Sequence, residues 1–334
     1  MESDFAFVVA VVVLALAFDF INGFHDTANC VATAVATGAL PPRLAVGTAA
    51  ALNLVGALAF TGVARTVGGG IANPWALEHG LYAVLAALMA AILWNLATWW
   101  LGLPSSSSHA LIGSLAGAVL AAAGFGGLHL RGFMVIAAAL LFTPPLAMTL
   151  GFGMRYLIGL LPLSPDRHRA EAVFRRVQVF TAIGQSFSHG TNDAQKTMGI
   201  ITLALVAGGL QGDMSIPLWV KVSAASAMGL GTACGGWRII RTVGYRIFSL
   251  RPRSGVSADL ASVATIMGAT LGGLPVSTTH VVSSAIVGVG VAGRPSDVRW
   301  HTMKMIVSAW IITLPATAVL AAVIYTLIAR PRHF

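Results

Sequence analysis

Two short stretches of this chain set carboxylate, amide and imidazole groups side by side. The first reads Asn22-Gly-Phe-His25-Asp26-Thr-Ala-Asn29 and the second His189-Gly-Thr-Asn192-Asp193-Ala-Gln-Lys196. Carboxylates at Asp26 and Asp193 bind cations or carry protons. The amides of Asn22, Asn29 and Asn192 donate and accept, which suits a cation or an oxyanion. Histidine is a side-chain type that can change charge near physiological pH, so His25 and His189 are candidates for proton handling, although a packed core histidine fits the same positions. An Asn and a His exchange places between the stretches, so each keeps the same chemistry. A second pair of motifs supplies hydroxyls: Pro104-Ser105-Ser106-Ser107-Ser108-His109 and Pro275-Val-Ser277-Thr278-Thr279-His280. Proline breaks a helix, and the hydroxyls that follow would stand at the start of a new one. A helix N-terminus carries free N–H groups and partial positive charge, so it binds anions without a formal cation. One serine would serve as an ordinary cap; four in a row, matched by Ser-Thr-Thr, exceed that need. His109 and His280 close both motifs and are further candidates for proton handling.

The elements that hold these motifs lie in lipid. Of 334 residues, 57% are hydrophobic and 9% charged, and mean hydropathy is +0.83. A soluble domain carries about 25% charged residues, so a soluble enzyme, a disordered chain and a disulfide scaffold are excluded. Cys30 and Cys234, both in apolar context, define no redox compartment. Apolar runs long enough to cross a bilayer are expected at 5–21, 43–64, 80–101, 132–153, 216–236 and 303–328. Runs at 22–40, 177–210 and 257–291 are interrupted by the motifs, and 80–101 continues past its own motif into 110–124. These read as broken helices, which lipid tolerates only where protein or a water-filled path surrounds the break. Inside such runs a charge costs at least about 2.5–3.5 kcal/mol, which marks Asp26 and Asp193 as functional and makes Asp19 a weaker candidate. Glu2, Asp4, Asp166 and Glu171 sit at an end or in the central linker.

Both motifs recur in the same order at nearly the same interval. The fold expected is therefore all-α and integral to the membrane. It comprises two inverted repeats with broken helices or re-entrant hairpins, at 1–160 and 177–334, joined by a polar, Arg-rich loop at 161–176. Interrupted segments at corresponding positions of two halves point to a transporter site. Formal net charge is +9, but the arginines cluster between apolar runs (Arg155 to Arg176, Arg238 to Arg253), as cytoplasmic loops do. Nucleic-acid binding is not expected. The acidic start Met1-Glu2-Ser3-Asp4 does not read as a secretory signal. The middle loop is expected in the cytoplasm with both termini outside, against which Arg330, Arg332 and His333 weigh.

Two acid–amide stretches and two anion-suited helix starts describe cotransport of an anion with a cation or proton. No sequence element supports ATP hydrolysis, proteolysis or redox work, so neither enzyme activity nor a cofactor is expected. The motifs resemble those of the inorganic phosphate transporter family, the PiT-type permeases, which carry Gly-x-x-Asp-x-x-Asn in each half followed by Pro-x-Ser-x-Ser/Thr-His. Here the first signature, Gly23 to Asn29, is complete; the second, Gly190 to Lys196, has Lys196 where many members have Asn. The resemblance implies an inverted-repeat symporter of inorganic phosphate in the plasma membrane. Asp26, Asp193, Asn22, Asn29 and Asn192 would lie at the substrate and coupling-ion site, with Ser105, Ser106, Ser107, Ser108, Ser277, Thr278 and Thr279 on the phosphate. Lys196, counted with the site, offers no acceptor and repels Na⁺ but can pair with Asp193 or the substrate. The Gln195-Lys196 form resembles the proton-coupled bacterial branch, where phosphate can travel as a metal–phosphate complex. The alternatives are a sodium-coupled symporter with Na⁺ at Asp26 and Asn29, a sulfate permease of the same family, and a non-transporting receptor or scaffold. The lipid bilayer is the expected surrounding, and a homo-oligomer is compatible with the sequence.

Overall fold

A computed structural model describes residues 2–71, 80–161 and 166–329. Helices account for the described architecture, and no strand occurs among the described residues. In the first half they are α1 (Glu2–Ala36), α2 (Pro42–Ala59), α3 (Gly62–Gly70), α4 (Gly80–Leu101), α5 (Ser107–Ala123) and α6 (Leu130–Gly159). The second half repeats the series as α7 (Arg167–Ala207), α8 (Leu218–Cys234), α9 (Trp237–Tyr245), α10 (Pro252–Leu271), α11 (Thr278–Gly293) and α12 (Trp300–Ile328). Six of them, α1, α2, α4, α5, α6 and α12, are long and apolar enough to cross a membrane.

The halves exchange partners. Helix α1 packs on α8 and α9, while α7 packs on α2 and α3; α6 lies against α10 and α11, while α12 lies against α4 and α5. Each contact in one half thus has its counterpart in the other. The hairpins α4–α5 and α10–α11 are interior: 61% of the α5 span is buried, against 22% for α6 and for α12. The outer helices instead turn Leu141, Phe142, Ile311 and Val319 outward, as a lipid-facing surface requires. Each hairpin turns at a glycine, Gly102 or Gly273, both at φ +67°, a left-handed conformation that a Cβ disfavours.

Three expectations are corrected. Runs 5–21 and 22–40 are one continuous helix, α1, and the stretch Gln185 to Asp193 lies inside α7 without a break. Glycine inside a helix costs only about 1 kcal/mol, and here it serves packing: a Cβ on Gly23 would collide with the Met228 carbonyl, and one on Gly190 with the Asn53 carbonyl. Small residues let helix backbones touch in membranes, so these glycines bring α1 onto α8 and α7 onto α2. Breaks do occur at the second motif pair. They occur also within the run 43–64, where Phe60 is extended between α2 and α3. Lastly, the connecting loop is helical from Arg167 onward, with Asp166 capping α7 through His168 N at 2.9 Å. The remainder of that loop (162–165) and Arg330, Arg332 and His333 lie outside the described residues.

Candidate ion and anion site

The two hairpin turns meet the two motif helices at one buried place. Ser106 caps α5 by accepting from His109 N at 3.1 Å, and Ser277 caps α11 by accepting from His280 N at 3.2 Å. Both helices therefore begin at the hydroxyl clusters, as expected. Ser108 Oγ donates to the Val276 carbonyl at 2.9 Å, tying one turn to the other. Side chains Ser105 to Ser108 and Ser277 to Thr279 are all buried.

From α1, Asp26 reaches into this junction. It accepts from Ser107 Oγ at 3.1 Å and Thr279 Oγ1 at 3.4 Å, and pairs with His25 Nδ1 at 2.6 Å. Asn29 follows one turn later and donates to Thr278 Oγ1 and Thr279 Oγ1, leaving its Oδ1 without a partner. From α7, Asp193 accepts from Thr278 Oγ1 at 3.1 Å, lies 3.2 Å from His189 Nε2, and is hydrogen-bonded by Lys196 Nζ. Each carboxylate thus takes a hydroxyl from the start of α11, and Asp26 one from the start of α5. Ligand atoms of Asp26, His189 and Asp193 lie within 4.8 Å of one another, close enough to share one cation.

Not every expected residue faces this point. Asn192 donates to Thr270 Oγ1 and the Leu274 carbonyl and accepts from Val276 N, so it holds the α10–α11 turn in shape. Asn22 makes one long contact, to Met228 Sδ at 3.9 Å, and its carbonyl oxygen is unpartnered. The four histidines divide into two pairs. His25 and His189 attend the carboxylates, whereas His109 and His280 stack on each other with ring centroids 4.4 Å apart, His280 against Trp310 at 3.9 Å. This second pair packs the hairpins together and makes no contact with Asp26 or Asp193.

Sequence reasoning missed a further buried carboxylate, Asp259 on α10. It accepts from Thr33 Oγ1 at 2.6 Å and Thr181 Oγ1 at 2.8 Å, while Thr37 donates to Gln178 nearby. The signal was present as an acid inside the apolar run 257–291. Asp26, Asn29 and Thr33 on α1 and Thr37 just past its end recur at helical spacing; along α7, Asp193, Gln185, Thr181 and Gln178 do the same. With Gln185 donating to the Asn29 carbonyl, these side chains form a buried polar file running away from the site. Asp19, too, is fully buried; neither oxygen has a hydrogen bond of good geometry, although the Thr197 hydroxyl is beside it.

Buried hairpin turns and paired carboxylates inside a lipid-facing shell define a multi-pass membrane transport protein rather than an enzyme. Comparison with known proteins carries this further. The family model described as the phosphate transporter family matches residues 22–321. A probable low-affinity inorganic phosphate transporter of Bacillus subtilis is 54% identical over 95% of this chain and 96% of its own length. One of Rhizobium meliloti is 43% identical over 97% and 98% respectively. The solved structure titled "The sodium-dependent phosphate transporter" superposes with a TM-score of 0.89 at 26% identity, covering 97% of this chain and 99% of that one. This chain belongs to the phosphate transporter family.

Proposed function

We propose that the chain carries inorganic phosphate across the plasma membrane by symport, with protons as the coupling ion. Asp26 and Asp193 bring two negative charges to the buried site and Lys196 returns one. Adding a phosphate anion to that balance would bury charge without compensation, which costs several kcal/mol per ion. Cations must therefore enter with the anion, and this makes the carrier a symporter. The observation that carries proton coupling is the hydrogen bond from Lys196 to Asp193: a fixed ammonium takes the place beside that carboxylate which a sodium ion would need. Two imidazoles, His25 and His189, lie on the two carboxylates, and an imidazole is a side chain able to carry a proton.

Phosphate would be held by the free N–H groups at the starts of α5 and α11 together with the hydroxyls of Ser107, Thr278 and Thr279. Recognition of phosphate over sulfate rests on Asp26 and Asp193, since protonated phosphate donates a hydrogen bond to a carboxylate and sulfate has no proton to donate. The partner exchange between halves supports a two-fold relation. If α1, α2–α3 and α6 each cross while α4–α5 enters and returns, each half crosses an odd number of times, and the repeats are inverted.

A second reading has its own observation. Asp26, His189 and Asp193 together form a carboxylate–imidazole set that suits a divalent cation better than sodium, which prefers oxygen alone. Phosphate would then travel as a neutral metal–phosphate complex. Uptake of labelled phosphate into liposomes containing only this protein tests the function itself. Accumulation above empty liposomes, resistant to excess sulfate, is expected; no accumulation would leave a receptor or scaffold role. Dependence on added Mg²⁺ or Mn²⁺ would select the metal-complex reading.

A further inference from the structure

At one end of the bundle, away from the carboxylates, an open cavity of about 960 Å³ is lined by Arg155, Arg251, Arg253, Arg294 and Arg299. Only two acids, Glu171 and Asp297, share its wall. Arg155 lies close enough to Arg251 and Arg253 for their charges to repel. Some of this charge is anchored: Arg253 donates to the Ile158 carbonyl at 2.6 Å and lies over the Phe174 ring, and Arg299 donates to the Tyr245 carbonyl. The buried Nε of Arg253 has no partner. Five guanidinium groups, some held in place, against two carboxylates leave a surplus of positive charge poised for bidentate bonds to phosphate oxygens. The volume falls at the upper end of the range for small-molecule sites and far exceeds one orthophosphate.

We propose that this cavity is a binding site for an anion bearing two or more phosphate groups, distinct from the transported phosphate, through which transport is inhibited. The wall supplies the reason for inhibition. Arg155 belongs to α6 of the first half, whereas Arg251 and Arg253 flank the start of α10 and Arg294 and Arg299 flank the turn between α11 and α12. A polyanion bridging them ties α6 to both arms of the second hairpin. That hairpin carries Thr278 and Thr279 to the site and Asp259 to the polar file, so its movement is what a bound ligand restrains.

The source of the phosphate groups, a soluble polyphosphate or the headgroup of an anionic lipid, is separated by the test. Full-length protein in nanodiscs of neutral lipid is titrated with inorganic tripolyphosphate, and parallel nanodiscs contain cardiolipin. One saturable tripolyphosphate site per chain is expected, weakened about tenfold or more in the Arg251→Gln/Arg294→Gln variant. Both residues are exposed, so the variant should fold and keep uptake in liposomes without tripolyphosphate, while losing inhibition by it. Cardiolipin that blocks tripolyphosphate in the unaltered protein, but does not bind the variant, supports the same site with lipid as its source. Absence of binding by both probes, or binding and inhibition unchanged in the variant, would overturn the proposal.

Discussion

Asp26 and Asp193 stand at equivalent places in the two halves, yet their surroundings differ in charge. Asp26 is attended by His25, Ser107 and Thr279, all groups that can be neutral. Asp193 is bonded by a buried ammonium, Lys196, where the first copy has Asn29. Corresponding places thus hold an amide in one half and a lysine in the other. Under the proposed proton coupling, Asp26 and the two histidines are where charge is exchanged. A second contrast runs along the same helices. Thr33, Thr37, Gln178, Thr181 and Asp259 form a polar file on one side of the site. At the corresponding places on the other side stand Ile200, Ala204, Val11, Leu14 and Leu88, which belong to or pack on the hydrophobic core. The same five places thus hold hydroxyl, amide and carboxyl groups on one side and apolar side chains on the other, where Asp19 and Thr197 are the buried polar groups.

Removing each carboxylate breaks this comparison most severely. Asp26→Asn and Asp193→Asn are each expected to reduce phosphate uptake to the level of empty liposomes. Their stabilities should separate. Asp193→Asn leaves Lys196 buried without its counter-charge, a loss of roughly 3–5 kcal/mol for a broken buried pair, whereas Asp26→Asn strands no lysine. Thermal unfolding in detergent should therefore show a much lower midpoint for Asp193→Asn, partly restored in Asp193→Asn/Lys196→Asn. Equal midpoints for the two single variants would mean that the halves are electrostatically alike.

Packing gives the next effect. Gly190→Ala puts a methyl group into the Asn53 backbone and should cost about 1–3 kcal/mol, as overpacking does, with reduced yield of folded protein. Gly23→Ala should do the same against Met228. Wild-type stability in both would show that α1 and α7 can separate from α8 and α2 without penalty. The smallest effect belongs to the polar file. Asp259→Asn keeps hydrogen-bonding capacity and lies away from the phosphate, so uptake should fall by about tenfold or less, equivalent to ~1.4 kcal/mol. Asp259→Leu, which installs the apolar type that stands at Leu88, should fall further. No difference between the two variants would remove the file from the transport path.

These contrasts were unequally legible in the residues themselves. The duplication, the helix starts at Ser107 and Thr278 and the membrane class follow from motif spacing and apolar length. Lys196 was readable as a partner for Asp193 because residues three apart share a helix face. Continuity of α1 and α7 was not readable. Gly23 and Gly190 look like breaks until the crossing helices are known, and only the tertiary contact shows that they are there for closeness. The same reason hid the role of Asn192, whose partners Thr270, Leu274 and Val276 come from the following hairpin. Asp259 was visible as a residue but not as a site, because Thr33 and Thr181 reach it from two other helices. For His109 and His280, position beside the hydroxyls suggested proton handling; that the two rings pack on each other, and His280 on Trp310, was visible only in the fold.

The central claim is that the ammonium of Lys196 takes the place of a sodium ion, so that protons drive uptake. Liposomes containing the purified protein, loaded with choline and given either an inward proton gradient or an inward sodium gradient, test it directly. Phosphate accumulation driven by the proton gradient in choline alone, with sodium adding nothing, is the predicted result, and Lys196→Asn should gain a response to sodium. Accumulation that requires inward sodium and ignores the proton gradient in the unaltered protein would contradict it.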